Sequence, residues 1–301
     1  MCIRDSYHTC SHRENGTACW GRNNYGQLGD GTMVDKSIPV AVASLGVDVE
    51  LLSLGSDHSC ATKTDGSLWC WGFNSYGQVG NGTTTNQSVP VVVGGAPPII
   101  DILALGGAHT CAKASDGGVW CWGLNTDGQV GDGTTVNRQT PVELAALGKT
   151  GVTVSPGWFH TCALKSDDTV WCWGDNEFGQ LGTGTAIDST TPVATVSLGP
   201  TVQEIISGGY HSCAIKAGGS VWCWGLNATG QLGDGTTENK TSPVEVTSLI
   251  EPAVGLAAGV DYTCAWTADD RLFCWGGNGF GQLGDGTTQD KTSPVEVNLC
   301  P

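Results

Sequence analysis

Apolar residues in this chain come in short runs separated by Gly-rich turns, and the runs recur at a fixed step. Residues 99–146 show the pattern. Ile99 to Leu105 is an apolar run ending at Gly106, and His109 to Lys113 alternates. Ser115-Asp116-Gly117 reads as a turn, Val119 to Trp122 is rich in β-formers, and Pro141-Val142-Glu143-Leu144 is a fourth short segment. Several short strands at regular spacing predict an all-β fold. No stretch carries a helical period.

The step is 51 residues. Cys-Trp-Gly occurs at Cys19, Cys70, Cys121, Cys172, Cys223 and Cys274, with no insertion or deletion between neighbours. Asn23, Gly26-Gln27 and Pro39-Val40 keep the same phase through all six units, down to Asn278, Gly281-Gln282 and Pro294-Val295. A fixed period of this size means stacked supersecondary units. Four antiparallel strands per unit, repeated six times, predict the blades of a β-propeller. A linear solenoid is the competing architecture, but it does not explain hairpin turns inside each unit.

Twelve of the 14 cysteines form pairs within repeats: Cys10/Cys19, Cys60/Cys70, Cys111/Cys121, Cys162/Cys172, Cys213/Cys223 and Cys264/Cys274. If Cys60 faces Cys70, then Thr64-Asp65-Gly66 is a three-residue hairpin loop. Facing residues of a non-hydrogen-bonded pair lie within disulfide reach. The same register sets Ala112 opposite Trp120, Ala163 opposite Trp171, Ala214 opposite Trp222 and Ala265 opposite Phe273, a small residue against a ring each time. Zinc ligands sit closer together in sequence, and no second Cys or His completes a set. Disulfides place the protein in an oxidising compartment, extracellular or at the cell surface. In repeat 1 the pair is only nine apart, and Ala18 replaces the aromatic residue. A slip within a strand exchanges its faces, so a distorted first hairpin or a strained disulfide is expected.

The opening Met1-Cys2-Ile3-Arg4-Asp5-Ser6 matches no part of the repeat. It reads as the translation of a sequencing-library transposon end. We expect residues 1–6 to be adapter sequence, residues 7–301 to be a single propeller domain, and the native start to be missing. Cys2 is then not native and Cys300 has lost a partner. The first repeat also lacks the equivalent of Ile99 to Leu105.

Thirteen Lys and Arg against 29 Asp and Glu give a formal charge of −16. That argues against nucleic-acid binding, which needs a basic footprint. No run of eighteen apolar residues marks a membrane span. Asp in the Gly-Asp-Gly-Thr turns suggests calcium, but the full ligand pattern of a calcium loop is absent and Asp serves turns. Sequons such as Asn81-Gly82-Thr83 carry little meaning without the host.

The repeat Gly-x-x-His-Thr-Cys-Ala, Asp-Gly-x-Val-Trp-Cys-Trp-Gly-x-Asn-x-x-Gly-Gln-Leu-Gly resembles the regulator of chromosome condensation repeat, over residues 8–297. The resemblance implies a propeller, commonly of seven blades, with one blade mixing strands from both chain ends. Six or seven blades are both compatible with 301 residues. The paired cysteines look like a secreted bacterial branch, of which one member inhibits a β-lactamase through aromatic loops on one face. Nuclear members promote nucleotide exchange on a small GTPase through a wedge inserted in a blade. The invariant step leaves no room for such an insertion.

Strand order sets the Gly-x-x-His turns and the Asn-x-x-Gly-Gln loops on one face. The variable residues there are Trp158, Phe159 and Tyr210 in the turns, and Tyr25, Tyr76, Phe178 and Phe280 in the loops. Asp57, Asp127, Glu177 and Asp261 lie among them. Aromatic anchors with a polar surround are what interfaces use; the competing reading is packing between blades. His58, His109, His160 and His211 recur at 51, but Tyr262 breaks the series. A ring repeated in each blade reads as a structural device bonded to backbone rather than as a metal ligand. No nucleophile–base constellation is present. The reading is a non-enzymatic extracellular scaffold for protein or glycan recognition, with no cofactor and no metal. The alternatives are a carbohydrate-active or other enzyme with a site in the central channel, an exchange-factor-like regulator, and a stability module within a longer surface protein.

Overall fold

The computed structural model describes residues 7–297. The expectations for residues 1–6 and for Cys300 lie outside the described residues. Twenty-three strands form six antiparallel sheets, and Ala145–Leu147 is a single 3-10 turn among the described residues. A complete sheet is typified by Ile100–Leu105, His109–Ala114, Val119–Gly123 and Arg138–Glu143, paired in sequence order. Five sheets have four strands. The first has three among the described residues, His8–Arg13, Gly16–Gly21 and Lys36–Ala41.

The innermost strands of blades 2–6 line a central channel of about 880 Å³, and His8, Thr9 and Cys10 take their place in blade 1. All six disulfides are formed, with Cα separations of 4.1–4.2 Å. The register is the expected one, with Ala112 opposite Trp120, Ala163 opposite Trp171, Ala214 opposite Trp222 and Ala265 opposite Phe273.

The first hairpin departs from expectation. It is not slipped: Cys10 pairs with Cys19, Ser11 with Ala18 and His12 with Thr17. The missing residue is taken from the turn, which shortens to Glu14-Asn15 between the paired Arg13 and Gly16. A strand with one buried face resists a slip, whereas a hairpin loop tolerates a change of length.

The core lies between blades rather than within them. One cluster joins Cys60, Leu68, Cys70 and Val79 of blade 2 to Leu103, Leu105, Ala112 and Trp122 of blade 3, and four similar clusters join blades 1 and 2, 3 and 4, 4 and 5, and 5 and 6. Trp71, Trp122, Trp173, Trp224 and Trp275, five of the six tryptophans of Cys-Trp-Gly, are fully buried there, whereas Trp20 is half-buried. Burying an indole of 150–250 Å² contributes about 4–6 kcal/mol at 25 cal/mol per Å². Each indole Nε1–H also donates to a carbonyl of the preceding blade, as Trp122 does to Gln78 at 2.9 Å. The glycine that follows is required by a bulge. Pairing jumps from Cys121↔Val142 to Gly123↔Arg138, and Gly123 sits at φ 108°. An L side chain rarely adopts that angle.

Blades also join at their rims. The N–H groups of Gly31, Gly82, Gly133, Gly184 and Gly235 donate to carbonyls of Ser88, Gln139, Thr190, Thr241 and Thr292 in the following blade. The corresponding Gly286 of blade 6 makes no such backbone bond among the described residues.

Candidate functional site

The Asn-x-x-Gly-Gln loop is built by its asparagine. The Asn125 amide donates to the carbonyls of Thr134 and Val136, and its oxygen accepts the Val130 N–H. The Asp of the Gly-Asp-Gly-Thr turn is used internally: Asp132 accepts from the Thr134 N–H and hydroxyl and from Asn125, and pairs with Arg138. These carboxylates are turn elements, and no group of three or more potential metal ligands occurs among the described residues.

The recurring histidines hold blades together. The Nε2 of His58, His109, His160 and His211 lies 2.8–2.9 Å from a Ser or Thr hydroxyl of the next blade. That hydroxyl donates to the same glutamine carbonyl that receives the indole, as Thr110 does to Gln78. The hydroxyl proton is thus committed, so Nε2 carries the imidazole hydrogen and donates. The partner is a side chain, not the backbone expected from sequence. Burial pushes His58, His109 and His160 down to about 3 and His8 and His211 to about 4. These rings are neutral.

The variable aromatic residues gather where the loop of one blade meets the Gly-x-x-His turn of the next. At blades 1 and 2, the Tyr25 and Phe73 rings are 4.7 Å apart and Phe73 and Tyr76 are 5.7 Å apart. Arg22 lies over the Tyr7 ring at 5.0 Å and the Tyr25 ring at 5.5 Å, and 3.5 Å from Asp57. At blades 4 and 5, Tyr210 is the hub. Trp158, Phe159 and Phe178 surround it with ring centroids at 5.8, 5.7 and 5.6 Å. All four rings are half-buried. Trp158 lies against Gly107 and stands at the channel mouth. Tyr210 ionisation is pushed up by burial first and then by Asp175, Asp127 and Glu177. Asp175 is pushed up by burial, and by Asp188, Asp127 and Glu177, against the Glu177 N–H that it accepts.

Phe280 meets none of the described rings and is 97% exposed. Sequence reasoning missed Phe73, Tyr7, Arg22 and Asp175. Arg22, Phe73 and Asp175 share one repeat position, directly after Trp-Gly, whose other occupants are Leu124, Leu226 and Gly277. Its variation was the available signal.

The sequence profile of the RCC1-like domain matches residues 18–301. The chain belongs to the RCC1-like domain family. The ultraviolet-B receptor UVR8 of Arabidopsis thaliana is 31% identical over 95% of this chain. The mitochondrial RCC1 domain-containing protein RUG3 of the same plant is 32% identical over 93%. The chain spans 67% and 66% of their lengths. Among solved structures, yeast RCC1 (Prp20) bound to Kap60 superposes with a TM-score of 0.84, at 20% identity, over 98% of this chain and 73% of that one. That likeness shows the fold. These two relatives are plant proteins, and the membership they establish is in the family as a whole.

Within this RCC1-like propeller the channel offers little chemistry. Glu204 is the one carboxylate among the described residues that line it, and burial pushes it up. Glycoside hydrolysis by paired carboxylates needs two, about 5–9.5 Å apart. No helix among the described residues is long and apolar enough to cross a membrane.

Proposed function

We propose that this RCC1-like chain is a non-enzymatic recognition scaffold for an extracellular protein partner, docked on the loop face at blades 4 and 5. The four-ring cluster around Tyr210 carries this reading. Rigid aromatic anchors with a polar surround dominate binding energy at protein interfaces. The six disulfides support an oxidising setting. The lone channel carboxylate weighs against hydrolysis, and the uniform 51-residue step against an exchange wedge. The formal charge of −16 over the chain disfavours nucleic acid. Yeast RCC1 (Prp20), which shares the fold, is itself bound to another protein, Kap60, in its crystal structure. A pull-down from the protein's own extracellular medium tests the reading. Trp158→Ala and Phe159→Ala lose the captured partners, whereas Asp167→Asn, in a hairpin turn on the opposite face, keeps them. Retention of every partner by both aromatic variants contradicts it.

A further inference from the structure

We propose that the cluster at blades 4 and 5 receives the guanidinium of an arginine carried by the partner protein. This rests on the docking reading above and names the chemistry that the face selects.

The chain contains the occupied form of the same arrangement. At blades 1 and 2, Arg22 lies over Tyr7 and Tyr25, at 5.0 and 5.5 Å, with Asp57 at 3.5 Å. Three repeats on, the positions correspond one to one. Phe159, before His160, stands where Tyr7 stands before His8, and Phe178 stands where Tyr25 does. Tyr210 replaces Asp57, and Asp175 replaces Arg22 itself. Two ring positions that hold an internal guanidinium in blade 1 are therefore kept in blade 4, while the guanidinium is exchanged for a carboxylate.

The charge of the second cluster is uncompensated. Asp127, Asp175 and Glu177 act together on Tyr210. None of them takes part in an ion pair among the described residues. Cations are drawn to the faces of aromatic rings. Arginine suits the site better than lysine, because its planar group stacks on rings, pairs two-pronged with carboxylates and is weakly hydrated.

The test uses the whole chain and a labelled Gly-Arg-Gly-Arg-Gly peptide, with lysine and citrulline versions, read by fluorescence anisotropy. Citrulline keeps the shape and removes the charge. The arginine peptide binds at least tenfold more tightly than the citrulline one, and more tightly than the lysine one. The near-isosteric double variant Asp127→Asn/Asp175→Asn weakens it about tenfold, and Tyr210→Ala weakens it as well. Asp167→Asn, on the opposite face, leaves it unchanged. Equal binding of the citrulline peptide, or an equal loss in Asp167→Asn, overturns the proposal. Full binding by the double variant also overturns it. If no peptide binds while capture of partners still depends on Trp158 and Phe159, the arginine inference fails and the docking reading stands.

Discussion

Five neutral, buried imidazoles make this propeller sensitive to mild acid. His8, His58, His109, His160 and His211 have folded values of about 3–4, against 6.5 in the unfolded chain. A depressed basic group binds its proton in the unfolded state first. Its stabilisation is whole above pH 6.5 and is lost as pH falls toward the folded value. From pH 7 to pH 5 each histidine removes about 2 kcal/mol of stability, because unfolding then takes up nearly one proton per ring. The perturbation that isolates this effect is His109→Gln. The glutamine amide still offers a donor to Thr161, which His109 contacts at 2.8 Å, but it does not titrate. Guanidinium unfolding under non-reducing conditions, followed by tryptophan fluorescence from pH 5 to 8, gives both stabilities. The variant is less stable at pH 7. The gap between the two proteins narrows by about 2 kcal/mol on going to pH 5. Carboxylates titrate equally in both and cancel. A gap that does not change with pH refutes a neutral, buried His109.

Other consequences follow from the same interfaces. Trp122→Ala, which empties the core between blades 2 and 3 and leaves the Gln78 carbonyl without its indole donor, lowers stability by about 3–5 kcal/mol in equilibrium unfolding. Trp122→Phe costs less. Replacing Cys111 and Cys121 together by Ala opens an eleven-residue loop and costs about 3 kcal/mol in denaturant; reduction of the wild type lowers stability further, since all six staples open. Asn125→Ala removes the side chain that bonds Val130, Thr134 and Val136. It accelerates amide exchange across residues 126–136 and spares the hairpin His109–Gly123, whose register does not depend on it.

The regular parts of the molecule were legible because one physical constraint set them six times over. A cysteine pair ten apart, a small residue facing a ring and a Gly or Asp in the left-handed position of the turn all demand the same hairpin, and the structure has that hairpin. The first hairpin was not legible because a shortened spacing does not say whether strand or turn gives way; the turn does, and the strand register is kept. The histidine partner was hidden for a different reason. Thr110 lies next to Cys111 in the sequence, yet it serves His58 of another blade. The aromatic face was legible as a list of positions, not as groups. Nothing in the spacing said that Phe178 joins Tyr210 while Phe280 meets no described ring. Asp175 escaped notice because its position carries Arg, Phe, Leu and Gly in the other repeats, a variation that marks it only once its neighbours are known.

The claim that recognition occurs on the loop face at blades 4 and 5 is tested most directly by site-specific photo-crosslinking. A benzophenone amino acid is placed at Phe178, beside Tyr210, or at Asp167 in the opposite hairpin turn. The account predicts partner adducts from position 178 that the Gly-Arg-Gly-Arg-Gly peptide suppresses, and none from position 167. Adducts from position 167 alone, or equally from both, contradict it.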